Sequence, residues 1–578
     1  MRKKWLFVSL LIFLVLAITA FVVIHYSSLH SKKNKTGVSK QTSPVDLRPA
    51  IIAKLQSLVK NGSDGLYDLS IQKIEPDILS STVDVFGAKL TPNAQALRLL
   101  DSLKKAPDNI FTLSLDSLHI TGINVDDFLH TSDIQLDSIV ISKPVIVCDY
   151  QPKSYNLLQR EKENQKTLYQ KLTEQLKSLN IQSVIIQRCT YTHKQKSKRD
   201  KIFNDVTMQF NNLLIDSSTQ FDKQRVLFSK QVNISCSNFF SRTADSLYLF
   251  KMGSVDINAT SHSLIAYHVA LIPRNSKAQF EKKLKYQDNR FDLQFPTVIA
   301  KNIDWWALTN NESFTCDEME LNSAVLKDYI DRRLPDSDSD FNVKDFPHQL
   351  LMKVPLKINV KKLQLHNLNI SYEEFNPSSN KSGVVTFDNI NGTIANISNI
   401  PAVMNTYRQT IIKVKGLFMN AVPFNSDFSF DLKKYKTGAF SMQMNISRID
   451  KNILNPIAES MGLFTIKTGT VEKADTRIVG NNYTSNIKLL MLYNDLHLMP
   501  LKKDKDIDTS LHKKIITGFF ANVFFIKNAN PAHNGDPRTV QINEQRNVHE
   551  GFFGFVWKSI LTGILQTVGL PKKYAGKR

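Results

Sequence analysis

The chain has 578 residues, of which 42% are hydrophobic and 22% are charged, and it contains only 20 Gly and 20 Pro. This composition excludes a chain that is disordered over most of its length, because there are enough apolar side chains to bury a core. The formal net charge of +21 suits anionic partners, and lipid head groups, acidic glycans and nucleic acid all qualify.

Near the N-terminus an uncharged segment is long enough to cross a bilayer. The run from Trp5 to Ile24, which includes Leu6 and Phe13, contains no charged residue. At about 1.5 Å per helical residue it spans the ~30 Å hydrocarbon layer. The weak cleavage site at 17–19 is followed by more apolar residues, so the pattern predicts an uncleaved anchor. A folded region behind a first anchor usually translocates, which places the rest of the chain outside the cytoplasm.

A tether and several helices are predicted next. Residues 27–45 are rich in Ser, Lys and Thr and are typical of a solvated linker. Residues 46–60 and 94–105 carry apolar side chains at helical spacing. The charged segment 156–179 has a narrow apolar stripe, which predicts a helix that caps a sheet rather than a coiled coil.

One strand-like unit recurs along the chain, and its fullest form is VKKLQLHNLNISY at 360–372. Its apolar residues are Leu363, Leu365, Leu368 and Ile370, at i, i+2, i+5 and i+7. Two alternating pairs separated by two polar residues are typical of a strand whose register slips once at a β-bulge, whereas a helix needs i, i+3, i+4 and i+7.

The recurrence of this unit indicates an internal duplication. The spacing begins at residues 113, 134, 184 and 208 and again at 293, 314, 363 and 385. The steps are 21, 50 and 24 residues in the first set and 21, 49 and 22 in the second, a matched order that chance does not readily give. The resulting alignment pairs Leu136 with Cys316, Ile186 with Leu365, Cys189 with Leu368, and Met208 with Val385.

These units predict a mainly β fold, in the form of an elongated, twisted β-sheet groove with a few flanking helices behind an N-terminal transmembrane helix. Its apolar face would either hold acyl chains or be covered by the helices as an ordinary core, and both readings stay open. The candidate groove or core residues are Leu136, Ile186, Leu363, Leu365, Leu368 and Ile370.

No pattern for catalysis, a cofactor or a metal stands out. HExxH, GxSxG, GxGxxG and GxxxxGK[ST] are absent, and the 13 His residues form no ligand-spaced pair with an acidic partner. The basic cluster at 194–201 lacks aromatic residues that would stack on nucleic acid. We therefore expect a protein that is not an enzyme, uses no cofactor or metal, and does not bind nucleic acid.

Cysteine spacing also gives no metal or redox motif, because the four residues are scattered without a CxxC. We expect small buried apolar side chains, with a disulfide left open for an extracytoplasmic domain. The four are Cys148, Cys189, Cys236 and Cys316.

Residues 551–570 predict a C-terminal amphipathic helix, with Lys558 and Thr562 on the polar side. Such a helix would close one end of the sheet or rest on a membrane surface, with burial in the core as the alternative. The candidate membrane-surface residues are Phe553, Trp557, Ile560 and Ile564.

Several segments together resemble the AsmA-like family of bacterial envelope proteins. They are 355–372, 383–394, 454–456, 467–471 and 492–496. The tail, at 519–522, 528–531, 552–553 and 557–559, is similar to the C-terminal part of the family's uncharacterised-domain branch in Gram-negative bacteria.

The resemblance implies a single-pass inner-membrane protein whose bulk lies in the periplasm, with phospholipid and possible envelope proteins as partners. It implies a role in outer-membrane maintenance in which an apolar β-groove holds or transfers phospholipid. Two other functions stay open: an envelope assembly scaffold that binds no lipid, and an envelope glycan-processing enzyme, which would need convergent carboxylates.

The predicted organisation has five parts. They are an anchor with a short cytoplasmic end (1–26), a linker (27–45), a first β-groove segment (46–285), a second that duplicates part of the first (286–500), and a C-terminal loop with an amphipathic helix (501–578).

We predict that the anchor is retained and that residue 25 onward is extracytoplasmic, because the apolar run continues past its weak cleavage site. Sequencing the N-terminus of the mature protein and measuring a C-terminal topology reporter would test this. A mature N-terminus near Thr19, or reporter activity in the cytoplasm, would show that the prediction is wrong.

Overall fold

The computed structural model describes residues 48–77, 80–122, 133–156, 178–195, 198–219, 221–243, 245–335, 343–462, 464–501, 526–533 and 535–570. The predicted anchor residues Trp5, Leu6, Phe13 and Ile24, the tether, and nearly all of the predicted charged helix lie outside these ranges. Among the described residues, no helix has both the length and the apolar character needed to span a bilayer.

The helices of the described residues are short. They are α1 Arg48–Gly62, α2 Ala94–Ser102, α3 Lys277–Glu281, α4 Trp305–Asn311, α5 Pro347–Lys353, α6 Pro401–Thr406, α7 Lys451–Ile457 and α8 Phe552–Thr567. The predicted helices at 46–60, 94–105 and 551–570 correspond to α1, α2 and α8.

Strands make up most of the described structure, so the predicted mainly β class is confirmed. In the first half they are β1 Tyr67–Ser70, β2 Lys73–Asp77, β3 Thr82–Pro92, β4 Asn109–Thr121, β5 Asp133–Ser142, β6 Val145–Tyr150, β7 Ser178–Gln195, β8 Lys198–Ile215, β9 Ser229–Arg242, β10 Tyr248–Asn258 and β11 Ser263–Pro273. In the second half they are β12 Arg290–Lys301, β13 Ser313–Asn322, β14 Val325–Asp331, β15 Lys357–Asn376, β16 Lys381–Ser398, β17 Gln409–Phe418, β18 Val422–Asp431, β19 Phe440–Ile446, β20 Ile449–Asp450, β21 Phe464–Gly480, β22 Thr484–Pro500 and β23 Thr539–Gln545.

The chain divides into two compact units. The first takes in the described residues from 48 to 243 with Lys251–Ala266 and Ile303–Glu312. The second takes in Asp245–Phe250, Tyr267–Asn302 and the described residues from 313 to 570. The units interleave in sequence between 245 and 312, the region that contains the boundary predicted at 285/286.

The two units contain the same arrangement of strands. In the first, β4 pairs antiparallel with both β5 and β6, and these two strands both pair parallel with β7. In the second, β12 pairs antiparallel with β13 and β14, which both pair parallel with β15. Two antiparallel partners follow in each case, β8 and β9 in the first unit and β16 and β17 in the second. This mixed topology is the duplication that the strand spacing predicts.

The registers agree with the predicted alignment over the first three strands. Leu136 lies opposite Ile181, and its predicted equivalent Cys316 lies opposite Val360. Ile141 lies opposite Ile186, and at the equivalent place Leu321 lies opposite Leu365. The predicted pairs therefore occupy equivalent positions in the two copies.

The alignment of the fourth strand is wrong by seven residues. Met208 lies opposite Ile186, and the residue opposite Leu365 is Gly392, not the expected Val385. Apolar residues recur along β16 at Val385, Phe387, Ile390, Ile394 and Ile397, so the spacing alone does not fix the offset. Pairing with the preceding strand removes this ambiguity.

The repeat also begins earlier than the predicted start at residue 113. The hydroxyl of Tyr67 accepts a hydrogen bond from the backbone N–H of Phe111 at 3.1 Å, and the hydroxyl of Tyr248 accepts one from Phe291 at 3.2 Å. These equivalent contacts extend the duplication back to β1 and β10; β1 has only four residues, too few to show the spacing.

The predicted bulge in β15 is present. The pairing of β15 with β16 shifts between Leu365 and Leu368, and Asn367 there has a φ of 54°. At the equivalent place in β7, Arg188 has a φ of 55°. Non-glycine residues seldom adopt positive φ, so its recurrence indicates that the two copies share the same backbone path.

The bulge determines which side chains enter the core. Leu365 and Leu368 are 5% and 6% exposed and belong to the same hydrophobic cluster, while His366 and Asn367 between them are exposed. Without the extra residue, a separation of three positions would put the two leucines on opposite faces. Leu363 and Ile370 are half-buried against this cluster.

We predict that Leu365→Asp and Leu368→Asp each destabilise the second unit by about 3–5 kcal/mol, because each buries an unpaired carboxylate. Asn369→Asp is a matched control in the same strand, and Lys361→Glu alters an exposed residue that pairs with Asp317. Both should cost under about 1 kcal/mol. Urea denaturation followed by Trp557 fluorescence measures the difference, and equal effects at all four positions would contradict the register.

Candidate functional site

A row of apolar side chains crosses the sheet of the second unit, one residue per strand. Directly opposed residues on paired strands lie on the same face of a sheet, so the row is continuous. We call it the apolar row; it consists of Ala300, Met319, Leu363, Ile394, Ile412, Phe428, Met442, Ile478, Ile487 and Ile542.

From β13 to β23, the next position along each strand of the row gives a polar row on the other face. From β17 onward its members are exposed to solvent, and in β13 the carboxylate of Glu320 pairs with Lys301. The polar row consists of Glu320, Gln364, Thr393, Lys413, Asp427, Gln443, Arg477, Lys488 and Gln541. The sheet of this unit is therefore amphipathic, with one apolar and one polar face.

The apolar row changes in exposure along its length. Met442, Ile478 and Ile487 are at most 2% exposed. In the middle of the row, Met319, Leu363, Ile394, Ile412 and Phe428 are only half-buried, whereas Ala300 at its β12 end is 1% exposed. The apolar face therefore has a closed part on β19–β23 and an open part on β13–β18.

Helix α8 closes the first of these parts. Two small residues allow its contact with β22: Ser559 shares a 2.9 Å hydrogen bond with Ser485, and a Cβ on Gly563 would lie 3.1 Å from Leu489. Close approach of helix and sheet is possible because neither position has a bulky side chain. Thr562, expected on the polar side, is fully buried and donates its hydroxyl to the carbonyl of Lys558.

The candidate membrane-surface residues of α8 lie on its side away from this contact. Phe553 is 55% exposed, while Trp557, Ile560 and Ile564 are half-buried against the hydrophobic cluster. Sequence patterning missed Phe552 and Phe555, which are 5% and 0% exposed. Both rings pack against Phe440 of β19, a contact that the helical spacing does not predict.

An aromatic cluster fixes the first turn of α8. The centre of the Phe552 ring lies 5.1 Å from the ring centre of Phe346, 5.0 Å from that of Phe440 and 5.3 Å from that of Phe430. The guanidinium of Arg546 lies 4.2 Å from the centre of the Phe346 ring. These contacts join the segment before α5, two strands and α8.

An ionic cluster lies beside this turn. Arg332 donates to Glu374 at 3.1 Å and to Gln287 at 3.0 Å, and it lies 3.6 Å from Glu550. Burial raises the pKa of Glu550, and Arg332 opposes that shift. Through the contacts of Arg332 with both carboxylates, the cluster ties the start of α8 to β14 and β15.

The first unit has no open part in the equivalent row. Val83, Ile120, Ile139, Val184, Phe210 and Val232 follow one another across β3, β4, β5, β7, β8 and β9, and none is more than 5% exposed. The candidate residues Leu136 and Ile186 are likewise buried, at 4% and 1%. The two copies thus share a backbone but differ in how completely their apolar faces are covered.

The four cysteines lie in the described part of the chain. Each is buried, and none is in a disulfide. Burial raises the pKa of the Cys189 thiol to about 12, so it stays protonated. No group of three His, Cys, Asp or Glu residues within the described ranges is placed to hold a metal ion.

Comparison with known proteins gives no identification. The chain matches no protein-family model, and no curated protein matches its sequence.

We predict that acid destabilises the aromatic cluster at the first turn of α8, because His348 packs against this cluster. This residue is 3% exposed, and its ring lies 4.9 Å from Phe430. Burial lowers its pKa to about 4 from 6.5, although Asp431 favours the charged form. In the unfolded chain His348 is protonated below about pH 6.5, whereas in the folded chain it stays neutral down to about pH 4. The free energy of unfolding therefore falls as the pH drops between those values.

The variant His348→Phe removes the titrating group from an aromatic site. Its urea midpoint should fall less than that of the parent protein between pH 7 and pH 5. Parallel changes in the two proteins would mean that His348 does not titrate in this way.

Proposed function

We propose that this is an inner-membrane-anchored periplasmic protein of outer-membrane maintenance, which holds or transfers phospholipid in an apolar β-groove. It acts by binding rather than by catalysis. The observation that carries the proposal is the open part of the apolar row, at Met319, Leu363, Ile394, Ile412 and Phe428.

The dimensions of this open part suit an acyl chain. Its four strand-to-strand steps of ~4.8 Å make it about 19 Å long, on the order of an extended lipid chain. Each methylene kept from water there contributes about 0.8 kcal/mol. The polar row on the opposite face is exposed to solvent from β17 onward, so the sheet offers an acyl chain one apolar face and not two.

The membrane setting rests on sequence. The uncharged run from Trp5 to Ile24 supports a single inner-membrane anchor, and the resemblance to AsmA-like proteins supports an elongated, twisted groove in the periplasm. The phospholipid partner follows from the same resemblance together with the apolar row.

A second candidate function is an assembly scaffold that binds envelope proteins and no lipid. The observation that favours it is the closed part of the sheet, where Met442, Ile478 and Ile487 are already buried in the same hydrophobic cluster as the core-facing residues of α8. The fully buried row of the first unit favours it as well, since a face that is already covered has no place for an acyl chain.

Photocrosslinking separates the two functions. A benzoylphenylalanine at Ile412, on the apolar face, should crosslink phospholipid when the full-length protein is activated in native membranes. The same residue at Lys413, the next position on the polar face, is the matched control. Mass spectrometry of the crosslinked protein identifies the adduct.

The variants Ile394→Asp and Ile412→Asp should reduce co-purifying phospholipid by more than about tenfold, because a carboxylate on the apolar face must be desolvated when an acyl chain covers it. Lys413→Asp should leave it unchanged. Folded protein that never yields a lipid adduct at Ile412 would favour the scaffold.

A further inference from the structure

One end of the sheet in the second unit carries exposed apolar side chains that α8 and the core do not use. Leu350 is 54% exposed, Val354 38%, Leu356 37% and Tyr407 55%. They lie on α5, in the turn after it, and directly after α6. A single exposed Leu is ordinary on a protein surface, but a group of such residues marks a contact site.

Hydrogen bonds hold these residues side by side. The side-chain amide of Asn399, just before α6, donates to the backbone carbonyls of Leu351 and Val354 at 3.3 Å and of Leu356 at 2.9 Å. The side-chain amide of Gln349 donates to the backbone carbonyl of Lys436 at 3.5 Å. Helix α5, the start of α6 and the turn at Tyr435–Thr437 therefore form one surface, which we call the α5–α6 end surface.

Basic side chains surround this apolar group. Three of them pair with acids, Lys353 with Asp345, Lys361 with Asp317, and Arg408 with Asp431. The remaining basic residues of the surface are exposed, and no ion pair is found for them among the described residues; they are Lys357, Lys433, Lys434 and Lys436. The surface therefore carries excess positive charge.

We propose that the α5–α6 end surface docks on an anionic lipid bilayer. Exposed Leu, Val and Tyr side chains insert at the boundary between head groups and acyl chains, and lysines beside them attract anionic head groups. The basic residues are almost all Lys, a type depleted from protein–protein interfaces, which favours a membrane over an acidic protein. This docking is independent of whether the apolar row holds lipid.

Vesicle flotation tests the proposal with the full-length protein held in phosphatidylcholine nanodiscs. It should float with vesicles of equal parts phosphatidylglycerol and phosphatidylcholine, and much less with vesicles of phosphatidylcholine alone. Added salt should weaken the binding because it screens the lysines. Two variants that alter different parts of the surface, Lys433→Glu/Lys434→Glu and Leu350→Ser/Tyr407→Ser, should each bind more than about tenfold less tightly.

Matched controls change similar residues elsewhere. Lys282→Glu/Lys283→Glu gives the same change in net charge at exposed positions. Leu99→Ser/Leu103→Ser removes two leucines that are 61% and 56% exposed. Both controls should bind as the parent does. Equal flotation with both vesicle types, normal binding by the surface variants, or loss of binding in a control would overturn the proposal, as would capture of an acidic protein without any vesicle binding.

Discussion

The structure of the second unit depends on keeping one face of a long series of paired strands apolar. Successive side chains in a strand point to opposite faces, so a slip of one residue moves the whole apolar set to the wrong side. The apolar row continues from Ala300 to Ile542 because each pairing brings an apolar residue opposite another. Where apolar and polar residues stop alternating in the sequence, as between Leu365 and Leu368, a bulge keeps the apolar side chains on the same face.

The bulges are matched between neighbours as well as between copies. The pairing of β15 with β16 shifts next to Leu368, and the pairing of β16 with β17 shifts between Asp388 and Asn391. Asn389 within that second shift has a φ of 48°, and Asp205 at the equivalent place in β8 has a φ of 51°. A register shift in one pair of strands is therefore matched by a shift in the next pair. The apolar side chains stay on one face, although the bulges bend the strands.

Covering this face is a separate requirement, and it is met to different extents along the apolar row. On β22 and β23, α8 approaches closely through Ser559 and Gly563 and excludes water. On β13–β18 none of the described helices completes the burial, and Leu363, Ile394 and Ile412 stay half-buried. Because burial of the same row is complete in the first unit, the open part is a property of the second copy and not of the repeated backbone.

The sequence alone determined the features that depend on local periodicity. The i, i+2, i+5, i+7 spacing predicted the bulged strand at 360–372, and the order of the gaps predicted the duplication, because backbone geometry links side-chain direction to spacing along one strand. The helices at α1, α2 and α8 followed from apolar spacing in the same way. Tertiary structure alone decided the offset of the fourth strand, where Met208 corresponds to Gly392. It also decided that Ser559 and Gly563 face the sheet and that the two copies differ in exposure. These outcomes depend on contacts between residues far apart in the chain, and periodicity within one segment does not specify which distant segment covers its apolar face.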